Sequence, residues 1–216
     1  MEKPIFYSMF ESANILLLVT FFFVINSLRF KKSSFGVLVI YLSIALIAYM
    51  ISDLIRFGFL KFDGLLIMLL FGFLHYLLLG LFIINNLIVT LQRVRIFYYI
   101  SLPLLLIALV YDSKYNSYYS ASIANLFLII LCTSYYQNIF NNSIDIDLKS
   151  NPIFLIVNGI FLSTSLTIPI ILFGQYLRTV LSVEKYYLIA SIGPISSIIL
   201  YCFIIKATRC LKRIQA

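Results

Sequence analysis

The sequence predicts an all-α, polytopic transmembrane helix bundle of seven helices, or six if a weak one is lost, with the N-terminus outside and the C-terminus in the cytoplasm. Three observations carry this. First, 62% of the 216 residues are hydrophobic and 11% are charged, against about 45–50% and roughly 25% in soluble domains. So few charges cannot cover a water-facing surface, and a mean hydropathy of +1.05 is far too high for a disordered chain. Second, apolar runs of about 20 residues, the length that crosses hydrocarbon, recur along the chain. Third, the basic residues cluster at the ends of those runs. Residues 1–216 read as one bundle domain, and no extramembrane domain is expected.

Taken in order, the spans fall near residues 6–27, 36–58, 64–90, 96–111, 119–140, 153–174 and 186–206. The first is too long for a secretion signal, and its positive charges Arg29, Lys31 and Lys32 follow it, so it reads as a retained helix. The fourth is short and contains Pro103; the fifth is the most polar, with Ser120, Ser122, Asn125, Thr133 and Ser134. Pro152 opens the sixth after Asn151, a position where proline is tolerated. Pro169 is expected to bend the outer third of that helix, and Pro194 to kink the seventh near its middle.

Orientation follows from the Lys and Arg residues of the short loops. With the N-terminus outside, ten lie inside (Arg29, Lys31, Lys32, Arg93, Arg95, Lys149, Lys206, Arg209, Lys212, Arg213) and six outside (Lys3, Arg56, Lys61, Lys114, Arg178, Lys185). The pairs Tyr98-Tyr99, Tyr118-Tyr119, Tyr135-Tyr136 and Tyr186-Tyr187 mark the interfaces. The net charge of +8 therefore reads as topology in a cytoplasmic (inner) membrane, and not as a nucleic-acid footprint.

Polar groups at membrane depth are costly and face a cavity or a partner. Glu11 and Asn14 lie in the first helix; Asp53 and Arg56, three apart, share a face of the second with Tyr49 one turn deeper. His75, the only histidine, sits mid-helix. At about 100° per residue, Phe82, Asn86 and Arg93 share its direction, with Thr90 at the edge, which would make one polar stripe to the cytoplasm. Asn125, Gln175 and Arg178 complete an outward-half set. Glu11, Asp53, Arg56, His75, Asn86 and Asn125 are thus the ligand or relay candidates. Each has a plainer role open to it: the charged ones can pair or reach the headgroups, and the amides and His75 can bond between helices. Gly159, Ser163 and Thr167, spaced by four, and Gly193 with Ser197 form small-residue faces suited to close helix packing, within one chain or in a homo-oligomer.

Other chemistry finds no support. Helix seven has no lysine for a retinal Schiff base, one histidine cannot make a bis-histidine haem site, and Cys132, Cys202 and Cys210 form no CxxC pair. No HExxH, GxSxG, P-loop, GxGxxG or Pro-Gln motif occurs. Neither enzyme activity, nor a cofactor, nor a metal, nor a nucleic-acid partner is expected.

Asn151-Pro152-Ile153-Phe154, the polar-aromatic stretch Tyr135, Tyr136 and Gln137, and the basic stretch after the last helix resemble small bacterial seven-helix membrane proteins and the membrane input regions of some two-component histidine kinases. The resemblance covers about the last 90 residues. It implies a sensory or accessory module that signals through a membrane or cytoplasmic protein partner. The alternative is a small transporter or channel subunit with a polar path through His75, Asn86 and Arg93. A transporter needs a path to both faces, whereas a sensor needs one mouth.

Overall fold

Apolar segments in a solvent without hydrogen-bonding partners must satisfy their own backbone, and helices do so. In the computed structural model of the chain, residues 3–27, 33–56, 59, 64–87, 92–115, 119–142 and 148–215 are described. They form eight helices and, among the described residues, no strand: α1 (Lys3–Ser27), α2 (Ser33–Arg56), α3 (Gly64–Asn85), α4 (Gln92–Tyr115), α5 (Tyr119–Asn142), α6 (Pro152–Val180), α7 (Val183–Ala190) and α8 (Ile192–Gln215). Six stretches among the described residues are long and apolar enough to cross a membrane, with α7 and α8 counted as one; α3 contributes a shorter apolar stretch, Leu69–Asn85. The architecture is that of a helical membrane bundle.

Several boundaries differ from the sequence reading, each for a local reason. Helix α3 stops at Asn85 instead of continuing to residue 90. The Asn86 amide Nδ2 donates to the Phe82 carbonyl at 2.7 Å, and the Asn86 and Leu87 N–H groups close tight turns onto Ile83 and Ile84, so local bonds compete with further helix. Helix α4 is longer than its apolar window because Gln92, Arg93 and Asp112–Tyr115 continue the helical turn beyond it. Helix α6 runs through Pro169 to Val180 and starts as expected, with Asn151 Oδ1 accepting from the N–H groups of Ile153 and Phe154 at 3.0 and 3.2 Å. The expected kink of the last span is a break: α7 ends at Ala190 and α8 begins at Ile192, which places Pro194 in the first turn of α8.

Helices α1, α2, α3, α5, α6 and α8 pack in a closed ring, each against the next and α8 back onto α1. Helix α4 stands outside it, packed against α3 and α5, and its outer side exposes Ile96, Ile100, Leu104, Ile107 and Val110. Those residues, like Ile15 and Phe22 of α1, are apolar because hydrocarbon is what they meet.

The ring is filled unevenly along its length. In the half that holds the C-terminal parts of α1 and α8, Leu17, Leu42, Leu79, Phe82, Leu128, Leu131, Ile156, Ile160, Leu200 and Ile204 are all buried. Gly159 lets α6 and α8 meet there, since a Cβ on it would lie 2.7 Å from the Phe203 Cβ. Towards the other end the side chains of α5, α6 and α8 that line the interior become smaller and the ring opens.

Candidate functional site

The open end of the ring encloses a cavity of about 380 Å³. Its walls come from six helices or helix ends: Phe10 of α1; Tyr49 of α2; Phe71, Gly72 and His75 of α3; Asn125 of α5; Ser163, Thr164 and Thr167 of α6; and Ala190, Gly193, Pro194, Ser196 and Ser197 at the α7–α8 break. A second cavity of about 330 Å³ adjoins it along Phe10, Tyr49 and Phe71 and continues past Ser52.

One wall is aromatic. Ring contacts run from Phe10 to Tyr49 (5.5 Å between centroids), Tyr49 to Phe71 (6.4 Å), Phe71 to His75 (6.1 Å) and His75 to Tyr41 (5.4 Å). Edge-to-face geometry is the favoured arrangement for such rings. The facing wall is built of small and hydroxyl residues of α5, α6 and α8. Between the walls, at the bottom, lies a hydroxyl cluster: Tyr201 hydrogen-bonds to Tyr41 and Tyr49, and Tyr49 also to Ser197. Tyr41 and Tyr201 are each only 2% exposed. Below them, the buried Leu, Ile and Phe side chains of the packed half close the ring.

The helix break follows from the sequence. Proline has no N–H and its ring crowds the carbonyl four residues back, so Pro194 cannot supply the bond that Ala190 would receive in an unbroken helix. The chain turns at Ser191, whose N–H still reaches Tyr187 O at 3.0 Å and whose hydroxyl donates to Leu188 O. The small residues here do something other than pack: a Cβ on Gly193 or Gly72 would meet nothing within 4 Å.

The structure brings together His75, Asn125, Ser163, Thr167, Gly193 and Ser197 around this one cavity. Gly159 lies deeper, in the α6–α8 contact. Glu11 is exposed on α1; Asp53 is half-buried and follows Ser52 of the second cavity. The side chains of Arg56 and Gln175, and Thr90 as a whole, lie outside the described residues. Asn86 is not joined to His75: its amide is turned back onto Phe82 O, and the fully buried Phe82 stands between them. Arg93 is exposed on α4, not on α3. The stripe His75–Asn86–Arg93 therefore does not run along one helix.

Tyr41 and Tyr201 escape the sequence reading. A usable signal was their position: both stand well inside apolar spans, away from the interfacial belts, where a phenol hydroxyl must find a partner. Tyr201→Phe is expected to cost about 1 kcal/mol, in line with interhelical hydrogen bonds in membrane proteins, and to lower the melting temperature of the protein in detergent. Unchanged melting would show that the cluster adds no stability.

Comparison with protein-family models, curated proteins and solved structures finds no match to this chain.

Proposed function

We propose that this chain is a seven-span protein of the cytoplasmic membrane, with its N-terminus outside, that acts as a sensory or accessory module through a protein partner. In this reading α7 and α8 together make the seventh span. The cavity, among the outward ends of the helices, receives a molecule from the outer side. The observation that supports a sensor over a transporter is the packed floor: directly beyond the cavity the ring is filled by buried apolar side chains, such as Leu79 and Phe82 on α3 and Leu200 and Ile204 on α8, and the buried Thr20 and Thr208 hydroxyls there are turned back onto Leu16 O and Ile204 O of their own helices. A conducting or transporting path would need polar lining through this region. The helix break beside the cavity is what keeps the transporter as a second reading, since discontinuous spans line many transport sites.

One-sided access tests this. In a chain with Cys132, Cys202 and Cys210 replaced by serine or alanine, Thr167→Cys is expected to react with a membrane-impermeant thiol reagent added to right-side-out vesicles and not to inverted ones. Phe82→Cys is expected to react in neither. Reaction of Thr167→Cys in inverted vesicles, or of Phe82→Cys in either, would establish a path to the second face and overturn the sensor reading.

A further inference from the structure

We propose that the cavity binds an uncharged molecule with a flat apolar part and a group that both donates and accepts hydrogen bonds. The inference rests on the sensor reading for the side of entry, but on the lining alone for the chemistry.

Among the described residues, the lining contains no Asp, Glu, Lys or Arg. An ion entering would exchange its hydration for walls without a counter-charge, which is unfavourable by several kcal/mol. An uncharged molecule does not face that barrier. Size sets a second limit. At roughly 30 Å³ per non-hydrogen atom, the share of a water molecule in the liquid, 380 Å³ holds about a dozen atoms.

Most of the polar lining is already committed. Thr164 donates to Ile160 O at 2.7 Å, Thr167 to Ser163 O, and Ser196 to Gly193 O at 2.7 Å. The Asn125 carboxamide and the His75 imidazole have no hydrogen bond to the described residues. Between them they offer donors and acceptors from the neighbouring helices α3 and α5, and Ala190, whose carbonyl Pro194 deprives of a helical donor, is also on the lining. Such a set matches a group with both functions, for example a primary carboxamide. The aromatic wall matches the flat remainder, because stacked or edge-on rings gain contact area and quadrupole attraction. The open space over Gly72 and Gly193 is where that remainder fits.

The chain has no tryptophan, so Phe10→Trp places a unique fluorophore on the cavity wall. Benzamide, benzoate and benzamidine share one ring and differ in charge near neutral pH. With the Phe10→Trp protein in phosphatidylcholine vesicles, benzamide is expected to change the tryptophan emission saturably, and the two ions to bind at least roughly tenfold more weakly. Asn125→Leu, which removes the amide from the lining and leaves His75, is expected to weaken benzamide by about tenfold. Gly72→Leu, whose Cβ would meet nothing within 4 Å, should abolish the saturable signal while the protein still elutes as a folded species. His75→Gln keeps a donor and an acceptor and should retain part of the affinity. If the ions bind as tightly as benzamide, or if the signal is unsaturable and survives Gly72→Leu, the proposal is overturned; the latter is simple partitioning into lipid. The thiol-labelling result separates this from the sensor reading. Two-sided labelling with benzamide-selective binding removes the sensor and keeps the ligand class. One-sided labelling with unselective binding does the reverse.

Discussion

Gly159→Leu is expected to destabilise the bundle by about 3 kcal/mol or more, the upper range for an overpacked core. The atom it would strike is the Phe203 Cβ, at 2.7 Å from the position of a Cβ on residue 159. A Cβ cannot swing aside as the tip of a side chain can, so relief requires α6 and α8 to separate. Those helices hold the packed floor together, with Val157, Ile160, Leu200 and Ile204 all buried. Even Gly159→Ala should cost about 1–2 kcal/mol, part of the clash being offset by the better helix propensity of alanine. Gly174→Ala is the control: a Cβ there meets nothing within 4 Å, and a neutral or slightly stabilising effect is expected. Melting in detergent of the three variants side by side decides the matter. A Gly159→Leu protein that melts with the parent would show that α6 and α8 do not depend on this contact.

The second large effect concerns Asp112. It is fully buried in the last turn of α4, and its carboxylate accepts from the backbone N–H groups of Tyr119 at 3.1 Å and Ser120 at 2.6 Å. Those are the first two residues of α5, so a side chain of one helix caps the next across a short connection. The negative charge also lies at the positive end of the α5 dipole. Asp112→Ala leaves the buried Ser120 donor and the part-buried Tyr119 donor without that partner and is expected to cost about 2 kcal/mol. Asp112→Asn keeps one acceptor oxygen and should lose less. Because α4 stands outside the ring, packed against α3 and α5, the loss should appear first as faster proteolysis between α4 and α5, followed by lower melting. A variant with parental proteolysis and melting would show that the cap is dispensable.

What could be read from the sequence was set by how local each signal is. The apolar runs mark the spans because length and composition are properties of a segment alone, and Asn151-Pro152 marks the start of α6 for the same reason. Helix ends were harder. Asn86 turns its side chain back on Phe82 O and helps end α3 early, whereas Asp112 and Lys114 extend α4 past its apolar window. His75 and Asn125 could be singled out as polar groups in apolar helices, although only the ring order of the helices brings them to one cavity. The small residues carried the least information. Gly159 and Gly193 look alike in sequence, yet one admits a neighbouring helix and the other borders open space. The difference lies in what stands opposite: Phe203 in the first case, and nothing within 4 Å in the second, at the start of α8. Tyr41 and Tyr201 were invisible as a pair because their partnership depends on α2 and α8, which flank α1 in the ring, turning these side chains to the same interior.

The uneven filling of the ring has a mechanical consequence. Void volume is what pressure removes, and opening fluctuations start where buried contacts are fewest. The same six helices are therefore soft at the end that holds Phe10, His75 and Gly193, and stiff at the end that holds Leu79, Ile156 and Ile204. A load applied at the soft end is met by a support that does not yield. Helix displacement is then amplified towards the compliant end, as in a cantilever clamped at its base, instead of being spread evenly through the bundle.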